Sequence, residues 1–364
     1  MSTTETNLEE SRICLLFIVF FFAQRSDKSN PRLISGDIPD NTFAFDQPKP
    51  AWYELNPERQ PLVLRLAIIT RVDAFERREA LRAEVLAGIL PSDVVVDYRF
   101  FVGSPGDGAK ALHTRILLNQ ENTAYGDVEI LNEIPDIFET VAEKRFAALK
   151  WGGLISNDSY DYFMTMDSDT FCRFGPLARR LPELLKEKEL TLNPRVDPIM
   201  IGRMGSHLVY WQNRVPDGSK DLKEQDEYVK GPWYSYPSGI GSSLVHSLLD
   251  ANPPIPHHIH YPWGDVMIGS WVAALENFPD ASIHWESTPE HSPEPVHEVF
   301  PTPYASYVVK TEVIDDFTGW HDYPKRGGHD ARIGWDSVCI HRLKPDEMVA
   351  FRQMEEIKGE WDTS

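Results

Sequence analysis

The chain has 364 residues, 41% hydrophobic and 25% charged, an ordinary globular composition with enough length to bury one large core or two small ones. Its 36 basic and 56 acidic residues give a formal charge of −20, which argues against a nucleic-acid backbone as partner, because that needs a basic face. Three cysteines, Cys14, Cys172 and Cys339, fit neither a zinc cluster nor a disulfide-stapled scaffold. A Cys172–Cys339 bridge and two buried free thiols both stay open, and two thiols are the expectation.

The first landmark is "ICLLFIVFFFA" (residues 13–23), an unbroken apolar run with Glu9, Glu10 and Arg12 before it and Arg25 and Lys28 after it. A spanning helix wants about 20 apolar residues, so this run reads as a short signal-anchor or as a plain apolar tail. Residues 24–61, rich in Pro, Asn, Asp and Ser, read as a stem or linker. One folded domain is expected over residues 62–364.

From residue 62 strands and helices alternate. "LVLRLAIIT" (62–70) is a buried strand, and "DAFERREALRAEVL" (73–86) a helix with Asp73 as its N-cap. "DVVVDYRFFVG" (93–103) is a second strand, "ALHTRILLNQENTAYG" a helix and "DVEILN" a third strand. "IFETVAEKRFAALKWGG" (137–153) has apolar residues at helical spacing and stops at paired glycines. "YDYFMTM" follows as a strand. Later, "YPSGIGSSLVHSLLD" reads as a glycine-rich turn entering a helix. The alternation predicts an α/β fold with a mostly parallel central sheet flanked by helices, where ligands gather outside the carboxyl ends of the strands.

At one such end stands Asp167-Ser168-Asp169. Asp is poor in strands and costly to bury unpaired, so a positive group should oppose the two acids. A hard divalent cation held through oxygen, its shell completed by nucleotide phosphates, is the first candidate. In isolation the triplet reads more readily as a surface turn; the apolar run before it tips the balance to a site.

Two chemistries use such a site. "FMTMDSDTF" resembles the hydrophobic-strand Asp-x-Asp-x-Thr signature of haloacid-dehalogenase-type phosphatases, with Asp167 as nucleophile. That family expects the motif near the start of its domain and a later Gly-Asp-x-x-x-Asp, where "GDVMIG" has Gly269. The second is transfer from a sugar nucleotide. "RREALR", "FFVG" with "ENTAYGDVEILNEIPDIFETVAEKRFAALKW", "MDSDTF", "YPSGIGSSLVHSLL", "WGDVMIGSW" and "CIHRLKPDEM" resemble, in order, the blocks of the β-1,3-galactosyltransferase and N-acetylglucosaminyltransferase family. Each block is weakly specific; their order over residues 62–355 carries the resemblance.

That resemblance implies a GT-A type nucleotide-diphospho-sugar transferase fold and an inverting, Mn²⁺- or Mg²⁺-dependent transfer of galactose or N-acetylglucosamine. The donor would be a UDP-sugar, the acceptor a glycan hydroxyl, and the location the Golgi lumen, with residues 13–23 as anchor. Asp169 and His341 would ligate the metal, with Asp167 on metal or ribose, and Asp265 would be the general base. Arg71, Arg77, Arg78 and Arg82 are candidates for the nucleotide side, Arg78 and Arg82 being those retained. The Gly239–Gly241 turn would lie near donor sugar or acceptor. Bland roles compete: Asp265 as a helix cap, the arginines as a solvated face, the glycines as turn formers, and Trp211, Trp233, Trp263 and Trp271 as core rather than a sugar platform. Ser168 and Gly264 stand where the family has acids, which opens donor and acceptor identity. A catalytically silent carbohydrate- or nucleotide-binding relative would share all of this except a working base.

Overall fold

A computed structural model describes residues 42–54, 60–211, 227–250, 268, 269, 272, 310–327 and 331–361, with the backbone alone for 205–211 and 227–238. The apolar run 13–23, Trp263, Asp265 and Trp271 lie outside these residues, and so do the side chains of Trp211 and Trp233.

A seven-stranded sheet forms the centre, in the order β3-β2-β1-β4-β7-β6-β8. Its strands are β1 (Leu62–Ile69), β2 (Val94–Ser104), β3 (Val128–Pro135), β4 (Tyr162–Asp167), β6 (Ile199–Trp211), β7 (Glu227–Gly241) and β8 (Glu312–Asp315). Only β7 runs against its neighbours; the pairings β1–β2, β2–β3, β1–β4 and β6–β8 are parallel. The expected α/β, mostly parallel architecture is therefore present. A second sheet of three short strands has the order β5-β10-β9, from β5 (Phe171–Cys172), β9 (Trp320–Asp322) and β10 (Cys339–His341).

Parallel strands with helices on their faces bury both sides, so β1 reads as a near-continuous apolar run. Its Ala67 and Ile69 share a core with Phe101, Phe163, Met200 and Ile240 from neighbouring strands, closed by α3 (Val141–Gly152) and α5 (Ser242–Asp250). Leu64, Leu66 and Ile68 alternate to the opposite face and are equally buried.

The helices before α3 are α1 (Phe75–Ala80), which continues as a π-turn over Leu81–Leu86, and α2 (Ala109–Tyr125). Asp73 does not cap α1: the N-cap is Ala74, and Asp73 pairs instead with Arg71. Helix α2 ends where Gly126 takes φ 69°, a left-handed conformation that a residue without Cβ adopts at no steric cost. Later helices are α4 (Phe174–Glu187), against β2, and α6 (Pro345–Arg352).

Three expectations need correction. Residues 42–54 are not linker: Trp52 and Tyr53 are buried, and Phe45 and Tyr53 both pack edge-on against Trp335, at 5.0 and 5.2 Å. The aromatic residues among the polar ones give this segment apolar surface to bury. Gly239 and Gly241 form no turn but end β7, opposite Met164 and Tyr162 of β4. The β6–β7 register skips between Gly202–Ser238 and Arg203–Ser235, so that Tyr236 and Pro237 fall in an irregularity of the ladder, where a residue without an N–H costs no pairing. Finally, Cys172 and Cys339 are bonded, lying directly opposite one another in the β5–β10 register although 167 residues apart in sequence.

Candidate metal centre

The chain runs outward from β1 through β2 to β3 and then returns to place β4 on the other side of β1. The connections therefore diverge between β1 and β4, the switch point at which open α/β sheets bind ligands. Ile69, the last residue of β1, is the register partner of Asp167, the last of β4. Asp167 to Thr170 make a tight turn closed by the Thr170 N–H on the Asp167 carbonyl at 3.1 Å, while the Ser168 N–H donates to the Ile69 carbonyl at 3.1 Å. The two carboxylates thus project from a turn fixed to the switch point.

His341 reaches this turn from the other end of the chain. Antiparallel pairing of β5 with β10 sets Cys339 against Cys172 and Ile340 against Phe171. The Leu343 N–H donates to the Asp169 carbonyl at 2.8 Å. His341 Nε2 then lies 3.1 Å from Asp169 Oδ1 and 4.0 Å from Asp167 Oδ2. One ligand atom from each of Asp167, Asp169 and His341 falls within 4.8 Å of the others.

Two arginines complete the cluster. Arg145, on α3 and almost wholly buried, donates from Nη2 to Asp167 Oδ1. Arg77, on α1 and partly exposed, lies 3.4 Å from Asp169 Oδ2. Burial pushes the Asp169 carboxyl up, but His341 and Arg77 more than offset this and hold it below the usual carboxylate range. Burial likewise pulls the His341 imidazolium down, and the adjacent carboxylates of Asp169, Asp322 and Asp167 outweigh that, raising it to about 9.

The donor set tests well against a divalent cation. Two carboxylates and one imidazole suit manganese, and magnesium less so because of the nitrogen. Asp169 Oδ1 is buried and makes no hydrogen bond of good geometry, although His341 Nε2 is near it. A cation there would meet that oxygen and displace the Nε2 proton.

Arg78 and Arg82, expected on the nucleotide side, are structural. Arg78 is fully buried, bonding Glu121 with Nε and Nη2 and the Arg71 carbonyl with Nη1 at 2.7 Å. Arg82 bonds Asp127 through Nε and Nη2, at 2.8 and 2.7 Å, and Glu121 through Nη1. Their charge is already neutralised by buried carboxylates, and Arg78 also ties down the loop after β1 through the Arg71 and Val72 carbonyls. A second buried hub shapes the same rim: Asp136 accepts the Val72 and Gly103 N–H groups and pairs with Lys144. Gly103 is required there, since a Cβ would stand 2.8 Å from the Asp136 Cα and the Ile134 carbonyl oxygen. Gly239 and Gly241 supply β7 backbone, and Asp265 is outside the described residues.

Sequence reasoning missed Arg145, Asp322 and the disulfide. Arg145 had a signal: it falls on the apolar stripe of α3 with Val141, Ala142, Ala148 and Leu149, where a charge needs a buried partner. Asp322 carried none.

No family model matches the chain. Similarity to solved structures is faint. S. aureus TarS aligns at 11% identity over 39% of this chain and 22% of its own, with TM-score 0.24. A glycosyltransferase involved in the glycosylation of the major capsid of PBCV-1 aligns at 12% identity over 79% and 99%, with TM-score 0.27. A 4-diphosphocytidyl-2C-methyl-D-erythritol synthase aligns at 14% identity over 53% and 80%, with TM-score 0.22. The chain thus spans 22% of the length of TarS, and superpositions this loose carry no argument about its chemistry.

Proposed function

We propose that this protein is a metal-dependent, inverting glycosyltransferase of GT-A type that moves a hexose from a UDP-sugar to a glycan hydroxyl. One observation carries the reading: Asp167, Asp169 and His341 converge at the carboxyl end of β4, beside the β1/β4 switch point. The ordered sequence blocks from residue 62 to 355 supply the choice of glycosyl transfer among the chemistries such a site can host.

Asp169 and His341 are the residues that would hold Mn²⁺, with Asp167 beside them. When bound, the ion supplies charge neutralisation for the departing diphosphate. Arg145 orients Asp167 by donating to its Oδ1. Arg77, partly exposed next to Asp169, is placed to meet donor phosphate oxygens. Asp265 takes the proton of the acceptor hydroxyl as its oxygen attacks the anomeric carbon from the face opposite the leaving group. A lumenal setting with residues 13–23 as anchor belongs to the same reading, and the buried Cys172–Cys339 bond supports it, since disulfides persist in oxidising compartments. Phosphatase chemistry would use Asp167 as nucleophile, yet that carboxylate is held by Arg145 and stands on the fourth strand rather than the first.

The deciding experiment is calorimetric binding of UDP to the full chain with Mn²⁺ and with EDTA, for wild type and Asp169→Ala. Binding that requires metal and is lost in the variant is expected; no binding to wild type under either condition sinks the proposal. Asp265→Asn should then lower turnover of a productive UDP-sugar by about 10²–10⁴-fold with UDP binding intact. Retained UDP binding with no transfer to any acceptor would favour the silent binding relative.

A further inference from the structure

Strand β10 holds His341 between two carboxylates that arrive by different pairings. On one side, antiparallel pairing with β5 brings the ring to Asp169. On the other, parallel pairing with β9 makes Asp322 the register partner of His341 itself. Neighbouring partners in a ladder project to the same face, so the carboxylate and the imidazole meet edge to edge. His341 Nδ1 donates to Asp322 Oδ1 at 2.8 Å, and Nε2 is the nitrogen turned toward Asp169 and Asp167.

Asp322 is itself held in place. It is 6% exposed, and Arg342 Nε donates to the same Oδ1 at 3.2 Å. The chain at Gly327 closes over its other oxygen so tightly that a Cβ there would stand 1.9 Å from Oδ2. Arg342 is about half exposed, a solvated partner of little energetic weight, whereas the bond to His341 is buried at both ends. An imidazole offers a metal one lone pair, and an acceptor on the opposite nitrogen decides which nitrogen offers it and at what ring angle.

We propose that Asp322 is the positioning residue of the cation site: by accepting the Nδ1 proton of His341 it fixes the ring and presents Nε2, between Asp167 and Asp169, as the ligand atom. This rests on the metal-site reading above and goes beyond it in naming the residue that sets ligand geometry.

The test is calorimetric titration of the full chain with Mn²⁺ alone, for wild type, Asp322→Ala and Asp322→Asn, with thermal unfolding of each. Asp322→Ala should weaken Mn²⁺ binding by about 10–100-fold, and Asp322→Asn, which keeps an acceptor oxygen, should recover part of that loss. A folded Asp322→Ala protein with wild-type affinity overturns the assignment and leaves the metal site standing. A wild type that binds no Mn²⁺ overturns the site itself, and the assignment with it. A measurement on wild type alone avoids any folding defect of the variants: two-bond ¹H–¹⁵N correlations of His341 in the Zn²⁺-loaded chain. A proton on Nδ1 is the expected result, and a proton on Nε2 with the metal on Nδ1 would overturn it.

Discussion

Three arginines within six residues have different roles because of the angles between them. Arg78 and Arg82 are four residues apart and share a helix face, whereas Arg77 lies about 100° round the axis from Arg78. The shared face turns inward to Glu121 and Asp127; the other turns to Asp169. Glu121→Ala would leave two buried guanidinium groups short of a partner, and should cost about 3–5 kcal/mol in denaturant unfolding. A loss below about 1 kcal/mol would mean the pair is solvated. Arg77→Ala is expected to leave unfolding within about 1 kcal/mol of wild type, since its pair is partly exposed, while weakening Mn²⁺–UDP binding. Unchanged nucleotide affinity would remove Arg77 from the site. The arginine cluster was legible in the sequence, and so was the helical spacing. What the spacing lacks is which face a neighbouring helix will neutralise.

At the level of elements, the large sheet supplies the acidic turn at the end of β4, and the short strands bring His341 to it. Strands β5 and β10 contribute two and three residues, too few for local pattern to betray their pairing. Yet their register decides whether His341 faces Asp169, because a slip of one residue turns every side chain to the other face. The Cys172–Cys339 bond pins that register two residues from His341. In the chain-entropy account a loop of this length contributes about 5 kcal/mol, and native disulfides deliver about 2–5. The double variant Cys172→Ala, Cys339→Ala should therefore lose about 2–5 kcal/mol of unfolding free energy, read as a lower denaturant midpoint; an unchanged midpoint would show that backbone pairing alone fixes the register. The expectation of free thiols failed for the same reason. Cysteine count carries no information about two strands that meet across 167 residues.

Across the whole molecule, the order β3-β2-β1-β4 sets the switch point at the carboxyl ends of β1 and β4, and the Asp-x-Asp turn, the buried Asp136 hub and the loop after β1 form its rim. A ligand that bridges this rim binds only the folded state. UDP with Mn²⁺ at about 100 times Kd should thus stabilise the chain by about 2.7 kcal/mol, read as a rise in Tm that EDTA abolishes. An equal Tm with and without the pair would separate the acidic cluster from any nucleotide site.

Taken alone, the sequence determined the strand–helix alternation from residue 62, the mostly parallel sheet and the acidic pair at a strand end, because period-two and period-3.6 patterns are properties of neighbouring residues. It also marked His341, though only through the order of its motifs. The tertiary structure decided the rest. It joined residues 42–54 to the core, turned Arg78 and Arg82 inward and brought Arg77 and Arg145 to the acids. It bonded Cys172 to Cys339 and placed Asp322 behind His341. Each of these depends on which surfaces remain to be buried once distant segments have paired, and that is settled by the free energy of the assembled core rather than by any local pattern.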